Sequence, residues 1–340
     1  NSGTTARLMI GAVSSNPINC TFVGDTSLSK RSMSRVTNHL EKIGATVNLT
    51  KKDFLPLFIL GSDQLLPMPH IIEKASAQIK SALILAALNI HGKTKITEKT
   101  PTRDHTERLL KYLKVDFKIK KIRDKYKQIE LNGPYEIKSK NLEVAGDPSS
   151  ASFFIVGALM VPGSKVTIKN VMLNPSRIAF LKILKTMGAK LKVKKTRNIC
   201  GEDVGNITAE YSALKGIKIP SSQSAFLIDE YPILSMAASQ AKGKTVMKGL
   251  EELRHKESDR IKSITTNFKK IGIKIKENHN DLTIYCTKIN LTKKINIKAF
   301  NDHRIAMAFS ILNVLCDNKL KIDNKKCISI SYPDFEKHLN

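Results

Sequence analysis

Seven short stretches of the 340-residue chain concentrate the side chains able to do chemistry: NSGTTAR at 1–7, GDTSLSKRSM at 24–33, ASAQIK at 75–80, TPTRDHTER at 100–108, IDEYP at 228–232, LRHKESDR at 253–260 and NDHRIAM at 301–307. They mix Ser, Thr, Gln, Arg, Lys and acidic residues, and each adjoins an apolar or amphipathic helical stretch. Free N–H groups and the macrodipole at a helix start attract anions, and guanidinium and ammonium groups add to that field. Several such starts facing one cleft would make an anion-binding cavity. NSGTTARLMI has the form of one, a Gly-Thr-Thr turn running directly into apolar residues.

Singly, these residues also have plainer roles. Ser76, Ser149 and Ser150 fit helix caps, and Arg103 beside Asp104 fits a surface ion pair. Lys256 and Arg260 of KESDR are four apart, with Glu257 beside them; if the segment is helical they share one face, which suits a solvated charged surface. His303 fits a cap or a satisfied core histidine. Asp229 and Glu230 differ, because FLIDEYPIL is nearly apolar and burying two carboxylates without partners is costly. That makes this pair a candidate for catalysis. No GxxxxGKS/T loop, no GxGxxG after a strand and no HxH or HExxH pair occurs, so nucleotide-loop, dinucleotide and metal sites lack a motif.

The elements that must position these residues repeat. SGTTARLMIGAV, ASAQIKSALILAAL, PSSASFFIVGALM, DEYPILSMAAS and NDHRIAMAFSIL all read as Ala-rich helices after a polar turn. With Gly3, Ser76, Ser149, Asp229 and Asp302 as marks, they recur every 73 residues, except for one step of 80 between Ser149 and Asp229. After them come turns leading into strands, as in HGKTKI and PGSKVTI. Amphipathic second helices follow, such as SRVTNHLEKIGATV, HTERLLKYLKVDF, RIAFLKILKTMGAKL and RIKSITTNFKKIGIKI. Each copy has the size of a β-α-β-α-β-β module, too small to bury a core alone. The fifth copy stops at Asn340 after its first helix and two short strands, and the chain starts without methionine. The pattern therefore predicts that an initial unit is missing.

Length and 41% hydrophobic composition predict two globular domains. The apolar runs SALILAALNI and IAMAFSILNVLC are shorter than the roughly 20 residues of a membrane span, and no secretion signal is evident. Five dispersed cysteines suit a reducing cytoplasm without disulfides or zinc. A net charge of +27 invites a nucleic-acid reading. The excess is mostly lysine spread through the chain, however, which fits a lysine-rich surface that would draw in small acidic substrates.

NSGTTAR, GDTSLSKRSM, ASAQIKSA, TRDHTER, GDPSSASFF, NPSR, IDEYPIL, ELRHKESDR, DHRIAM and YPDF occur in that order across nearly all of the chain. In this set the chain resembles the 5-enolpyruvylshikimate-3-phosphate synthase family, in its bacterial subclass with Ser-Ala-Gln in the substrate loop. The resemblance implies an α/β (α+β) enolpyruvyl transferase fold of two similar domains, each with three β-α-β-α-β-β units, closing on the substrates. Residues 1–143 would be the N-terminal domain with two of its three units, and 144–340 the C-terminal domain with the last unit incomplete.

The implied reaction transfers the enolpyruvyl group of phosphoenolpyruvate to the 5-hydroxyl of shikimate 3-phosphate and releases phosphate, on the shikimate pathway to chorismate and the aromatic amino acids. It uses no metal or organic cofactor. By motif, Gly3, Thr4, Arg31, Gln78, Arg260 and Arg304 would bind phosphoenolpyruvate. Ser76, Ala77, Gln78, Arg103, Asp229 and Lys256 would bind shikimate 3-phosphate. Asp229 would be the base for the 5-hydroxyl, and Glu257 would join in proton transfer at the methylene carbon. The family's N-terminal Lys-Ser pair and Arg are not in this chain, so weak activity or none is expected of it. Ile330 stands ahead of SYPDF where many members have lysine, and Leu8 replaces a proline. Glyphosate would occupy the phosphoenolpyruvate site, with Gly3 leaving room for it. The resemblance further implies a cytoplasmic monomer that binds neither nucleic acid nor membrane. The alternatives are a UDP-N-acetylglucosamine enolpyruvyl transferase, whose reactive cysteine is absent from GDTSLSKRSM, and a basic nucleic-acid-binding protein.

Overall fold

A computed structural model describes residues 2–51, 53–122 and 126–339. The chain divides into two compact units, Asn1–Leu142 and Glu143–Asn340.

The first unit starts with helix α1 (Gly3–Ser14), strand β1 (Asn19–Phe22), helix α2 (Ser34–Lys42) and strands β2 (Thr46–Lys51) and β3 (Phe54–Leu60). These three strands form an antiparallel sheet in the order β1-β3-β2. Next come β4 (Pro69–Ile72), α3 (Ala77–Ala87), β5 (Gly92–Glu98), α4 (His105–Tyr112), β6 (Phe117–Lys121) and β7 (Lys127–Gly133). They make a four-stranded sheet in the order β4-β5-β7-β6, with β4 and β5 parallel on either side of α3. Leu55, Leu57 and Ile59 alternate inward from β3, as Thr94, Ile96 and Glu98 do from β5. α1 and α3 pack closely enough to require Gly11, where an added Cβ would lie 2.2 Å from the Ala82 carbonyl oxygen.

The second unit opens with α5 (Pro148–Met160), β8 (Lys165–Met172), α6 (Ala179–Thr186), β9 (Lys190–Ile199) and β10 (Glu202–Glu210), in an antiparallel sheet ordered β8-β10-β9. β11 (Lys218–Ile219), a short helix α7 (Ser224–Leu227), α8 (Tyr231–Gln240), β12 (Lys244–Met247), α9 (Arg260–Lys270), β13 (Ile275–Asn278) and β14 (Asp281–Tyr285) follow. Their sheet order, β11-β12-β14-β13 with a parallel first pair, repeats that of the first unit's larger sheet. The third copy supplies β15 (Ile295–Ile297), α10 (His303–Val314) and the parallel partner β16 (Leu320–Ile322), and α11 (Phe335–Leu339) ends the unit. The β-α-β-α-β-β plan read from the sequence is thus complete in β4–β7 and β11–β14, and the fold is mixed α/β.

α5, α8 and α10 pack on one another, and every residue of α8 from Tyr231 to Ser239 is buried. Leu159, Ile233, Leu234, Ile305 and Phe309 meet in this core. Burying each such side chain contributes about 1.5–3 kcal/mol, which fixes the N-terminal ends of these helices and the polar residues at them.

Candidate active site

In the first unit the polar side chains of α1 and α3 meet. Gln78 donates through Nε2 to Thr4 Oγ1 at 2.7 Å, and its Oε1 accepts from Arg7 Nη1 at 2.7 Å. Arg7 Nη2 also donates to the Ser32 carbonyl at 2.8 Å, tying the Arg31 loop to the same place. A Cβ on Gly3 would lie 3.2 Å from Arg31 Nη1 and 3.3 Å from Arg7 Nη1, so two guanidinium groups rest against this glycine. Burial, and then the charges of Arg31 and Arg35, lower the Arg7 pKa. Cations crowded in this way are relieved by an anion. Gly3, Thr4, Arg31 and Gln78 are therefore brought together, joined by Arg7 and Arg35.

Ser76 caps α3, its Oγ accepting from the Ile79 amide at 3.3 Å, and Ala77 and Gln78 follow in the first turn. The capping role read for Ser76 from sequence is real. The segment holding Arg103 is bound to this helix. Lys80, wholly buried, donates to the Arg103 carbonyl at 2.7 Å and pairs with Glu98 at 3.2 Å and Glu107 at 3.0 Å. Asp104 accepts from Arg108 Nε at 2.9 Å.

In the second unit a chain of charges joins the starts of α5, α8, α9 and α10. Arg260, 1% exposed, donates through Nε to Asp302 Oδ2 at 2.8 Å and through Nη2 to Glu257 Oε2 at 2.6 Å. Its Nη1 is buried with no hydrogen-bond partner and lies 3.8 Å from Asp229 Oδ1. Burial would lower the Arg260 pKa, but Asp302, Glu257 and Asp229 outweigh it and hold the guanidinium well above its ordinary value. Asp302 caps α10 by accepting the Arg304 amide at 3.0 Å, and it accepts from Ser258 Oγ at 3.0 Å. Arg304 Nη1 donates to the Asp229 carbonyl at 3.1 Å. Asp229, Glu257, Arg260 and Arg304 thus share one network.

Glu230 lies deeper, 1% exposed, and accepts a short hydrogen bond from Ser149 Oγ. Burial, and then the neighbouring Asp229 charge, raise its pKa, opposed by Arg304, Ser149 and Arg177. Arg177 Nη2 spans Asp147 Oδ1 and Ser149 Oγ, both at 2.8 Å. His303 opens α10 half-buried, its pKa lowered by burial and then by Arg304. Among the described residues no group of three or more His, Cys, Asp or Glu could hold a metal, and no helix is long and apolar enough to cross a membrane.

Two expectations are corrected here. KESDR is not one helix: Lys256 is extended after a 3-10 turn at Glu251–His255, and α9 starts only at Arg260, capped by Asp259 through the Lys262 amide. Lys256 and Arg260 therefore share no helix face; Lys256 is half-buried in the turn and Arg260 points into the core. α8 likewise begins at Tyr231, with Pro232 in its first turn, which leaves Asp229 and Glu230 in the preceding turn. Sequence reasoning missed Lys80, Glu98, Glu107, Arg35 and the pairing of Arg177. The signal for Glu98 was available, since it continues the inward register of Thr94 and Ile96.

The family profile described as EPSP synthase (3-phosphoshikimate 1-carboxyvinyltransferase) matches residues 1–339. The 3-phosphoshikimate 1-carboxyvinyltransferase of Clostridium tetani is 43% identical over 334 residues, covering 98% of this chain and 74% of that protein. The protein of the same name from Petrotoga mobilis is 42% identical over 341 residues, covering 98% and 77%. A solved EPSP synthase from Acinetobacter baumannii superposes with a TM-score of 0.83 at 37% identity, over 99% of this chain and 76% of that one. The enolpyruvyl transferase NikO from Streptomyces tendae shares the fold, with a TM-score of 0.73 at 15% identity over 98% of this chain and 74% of that one.

Proposed function

The chain belongs to the EPSP synthase family, and on that footing we propose that it moves the enolpyruvyl group of phosphoenolpyruvate onto the 5-hydroxyl of shikimate 3-phosphate, releasing phosphate. The observation that supports this reading best is that one buried guanidinium, Arg260, lies 2.6 Å from Glu257 Oε2 and 3.8 Å from Asp229 Oδ1. These are the two carboxylates that such a reaction needs for moving protons.

The chemistry proceeds by addition and elimination. Asp229 takes the proton of the 5-hydroxyl as its oxygen bonds to C2 of phosphoenolpyruvate, while C3 gains a proton with Glu257 taking part. Loss of a proton from C3 then re-forms the double bond as the C2–O bond to phosphate breaks. Arg31 and Arg304 grip the carboxylate and phosphate of phosphoenolpyruvate as charge-assisted forks, Arg260 adds a single donor, and Gly3, Thr4 and Gln78 bind the same substrate. Arg260 can do so only through Nη1, since its other nitrogens are committed. Ser76, Ala77, Gln78, Arg103, Asp229 and Lys256 hold shikimate 3-phosphate.

This reading also places the Ser76–Ala77–Gln78 turn in the Ser-Ala-Gln bacterial subclass, makes the enzyme a cytoplasmic monomer, and has glyphosate compete with phosphoenolpyruvate. Inorganic phosphate released only when both substrates are present is the expected result. Release with UDP-N-acetylglucosamine in place of shikimate 3-phosphate would move the assignment to the sister transferase. Tight, steeply salt-dependent binding of nucleic acid would favour the basic-module reading instead.

A further inference from the structure

Lys80 is the one lysine in ASAQIKSALILAAL, and it does not reach solvent. Its Nζ sits among three oxygens: the Arg103 carbonyl at 2.7 Å, Glu107 Oε1 at 3.0 Å and Glu98 Oε2 at 3.2 Å. The other Glu98 oxygen accepts from the Thr102 amide at 3.2 Å and from the Thr102 hydroxyl. Glu107 Oε1 also accepts from Lys127 Nζ at 2.8 Å, so two carboxylates face two ammonium groups. Ser81 Oγ and Thr106 Oγ1 add a contact at 2.6 Å between α3 and the first turn of α4.

Residues 102–107 are therefore fastened at both ends, Thr102 to β5 through Glu98 and Glu107 to β7 through Lys127, with Lys80 at the centre. Lys80 lies on the first turn of α3, two residues beyond Gln78 and four beyond Ser76. The bond it makes to this segment goes to the main chain of Arg103 itself and does not engage the guanidinium. A backbone held in this way fixes where the guanidinium can point, and misplacing such a group by an ångström is costly to binding.

We propose that Lys80 is a positioning residue, a buried ammonium that locks Arg103 to the Ser76–Ala77–Gln78 turn so that both meet shikimate 3-phosphate in fixed register. The inference rests on the assignment of Arg103 to that substrate. The test is calorimetric binding of shikimate 3-phosphate to the wild type, Lys80→Met, Arg103→Ala and the double variant, with thermal melts to establish folding. Lys80→Met is expected to weaken binding by about ten- to a hundredfold, and the double variant to bind no more weakly than Arg103→Ala alone, because Lys80 acts through Arg103. Wild-type affinity in a cooperatively folded Lys80→Met, or losses that multiply in the double variant, would overturn the proposal. Unchanged affinity in Arg103→Ala would instead overturn the substrate assignment of Arg103. Should Lys80→Met not fold, the pair Lys80→Met with Glu98→Gln removes the carboxylate left uncompensated, since Glu107 keeps Lys127, and is read in the same way. Amide exchange in the unaltered protein gives an independent check. The Thr102 amide is expected to exchange far more slowly than coil, and exchange at the coil rate would contradict the clamp.

Discussion

Arg304 donates through Nη1 to the main-chain carbonyl of Asp229 at 3.1 Å, which binds the start of α10 to the turn ahead of α8. The bond uses the backbone of Asp229 and leaves its carboxylate to other partners. The turn that carries Asp229 is thereby held in place.

Asp229→Asn keeps the shape of this turn and removes the base. It is predicted to lower kcat by about 10²–10⁴-fold while changing the affinity for shikimate 3-phosphate far less. Steady-state kinetics paired with calorimetry test this, and a kcat within about tenfold of wild type would rule out Asp229 as the base.

Arg260 is the central cation of its unit, with Asp302 wholly buried against it. Arg260→Met leaves that carboxylate without its main partner and is predicted to cost about 3–5 kcal/mol of unfolding free energy. Urea titration measures it. Arg260→Lys keeps the charge but not the fork and is expected to fall between the two.

Gly11 lets α1 and α3 approach. Gly11→Ala puts a methyl carbon 2.2 Å from the Ala82 carbonyl oxygen, and backbone on backbone cannot yield cheaply. A loss of about 1–3 kcal/mol is predicted despite alanine's better helix propensity. A stabilised variant in thermal melts would contradict the close crossing.

His70 is 3% exposed on β4, its ring 5.6 Å from that of His39. Burial, and then the charges of His39 and Lys42, push its pKa down to about 4. The folded value lies below the unfolded one, so the unfolded chain takes up the proton first as pH falls. Stability from this residue is full above about 6.5 and is lost as pH drops toward about 4. His70→Asn should flatten the dependence of Tm on pH across that window, and an unchanged slope would contradict it.

The architecture was legible because helices that recur at steps of 73 or 80 residues after similar polar turns point to a repeated unit, and the repeated sheet order of β4–β7 and β11–β14 shows two such units folding alike. Ser76 was readable as a cap because capping is local, whereas Ser149, Ser150 and His303 lie inside the first turns of helices capped by Asp147 and Asp302. What escaped the sequence is non-local. A lysine inside an apolar helix reads as a snorkelling surface group, and only the fold brings Glu98, from 18 residues away, to Lys80. KESDR misled for a related reason. Four-residue spacing suggests a helix face, but the Asp259 cap starts α9 at Arg260, and the contact between Arg260 and Asp302 spans 42 residues.

Turnover in D2O tests the central claim most directly. With phosphoenolpyruvate and shikimate 3-phosphate, NMR of the product should show an enolpyruvyl ether on the 5-oxygen with deuterium in its methylene group, because C3 is protonated from solvent-exchanged groups and then deprotonated. An ether with no deuterium would contradict addition and elimination, and no ether on shikimate 3-phosphate at all would contradict the assignment itself.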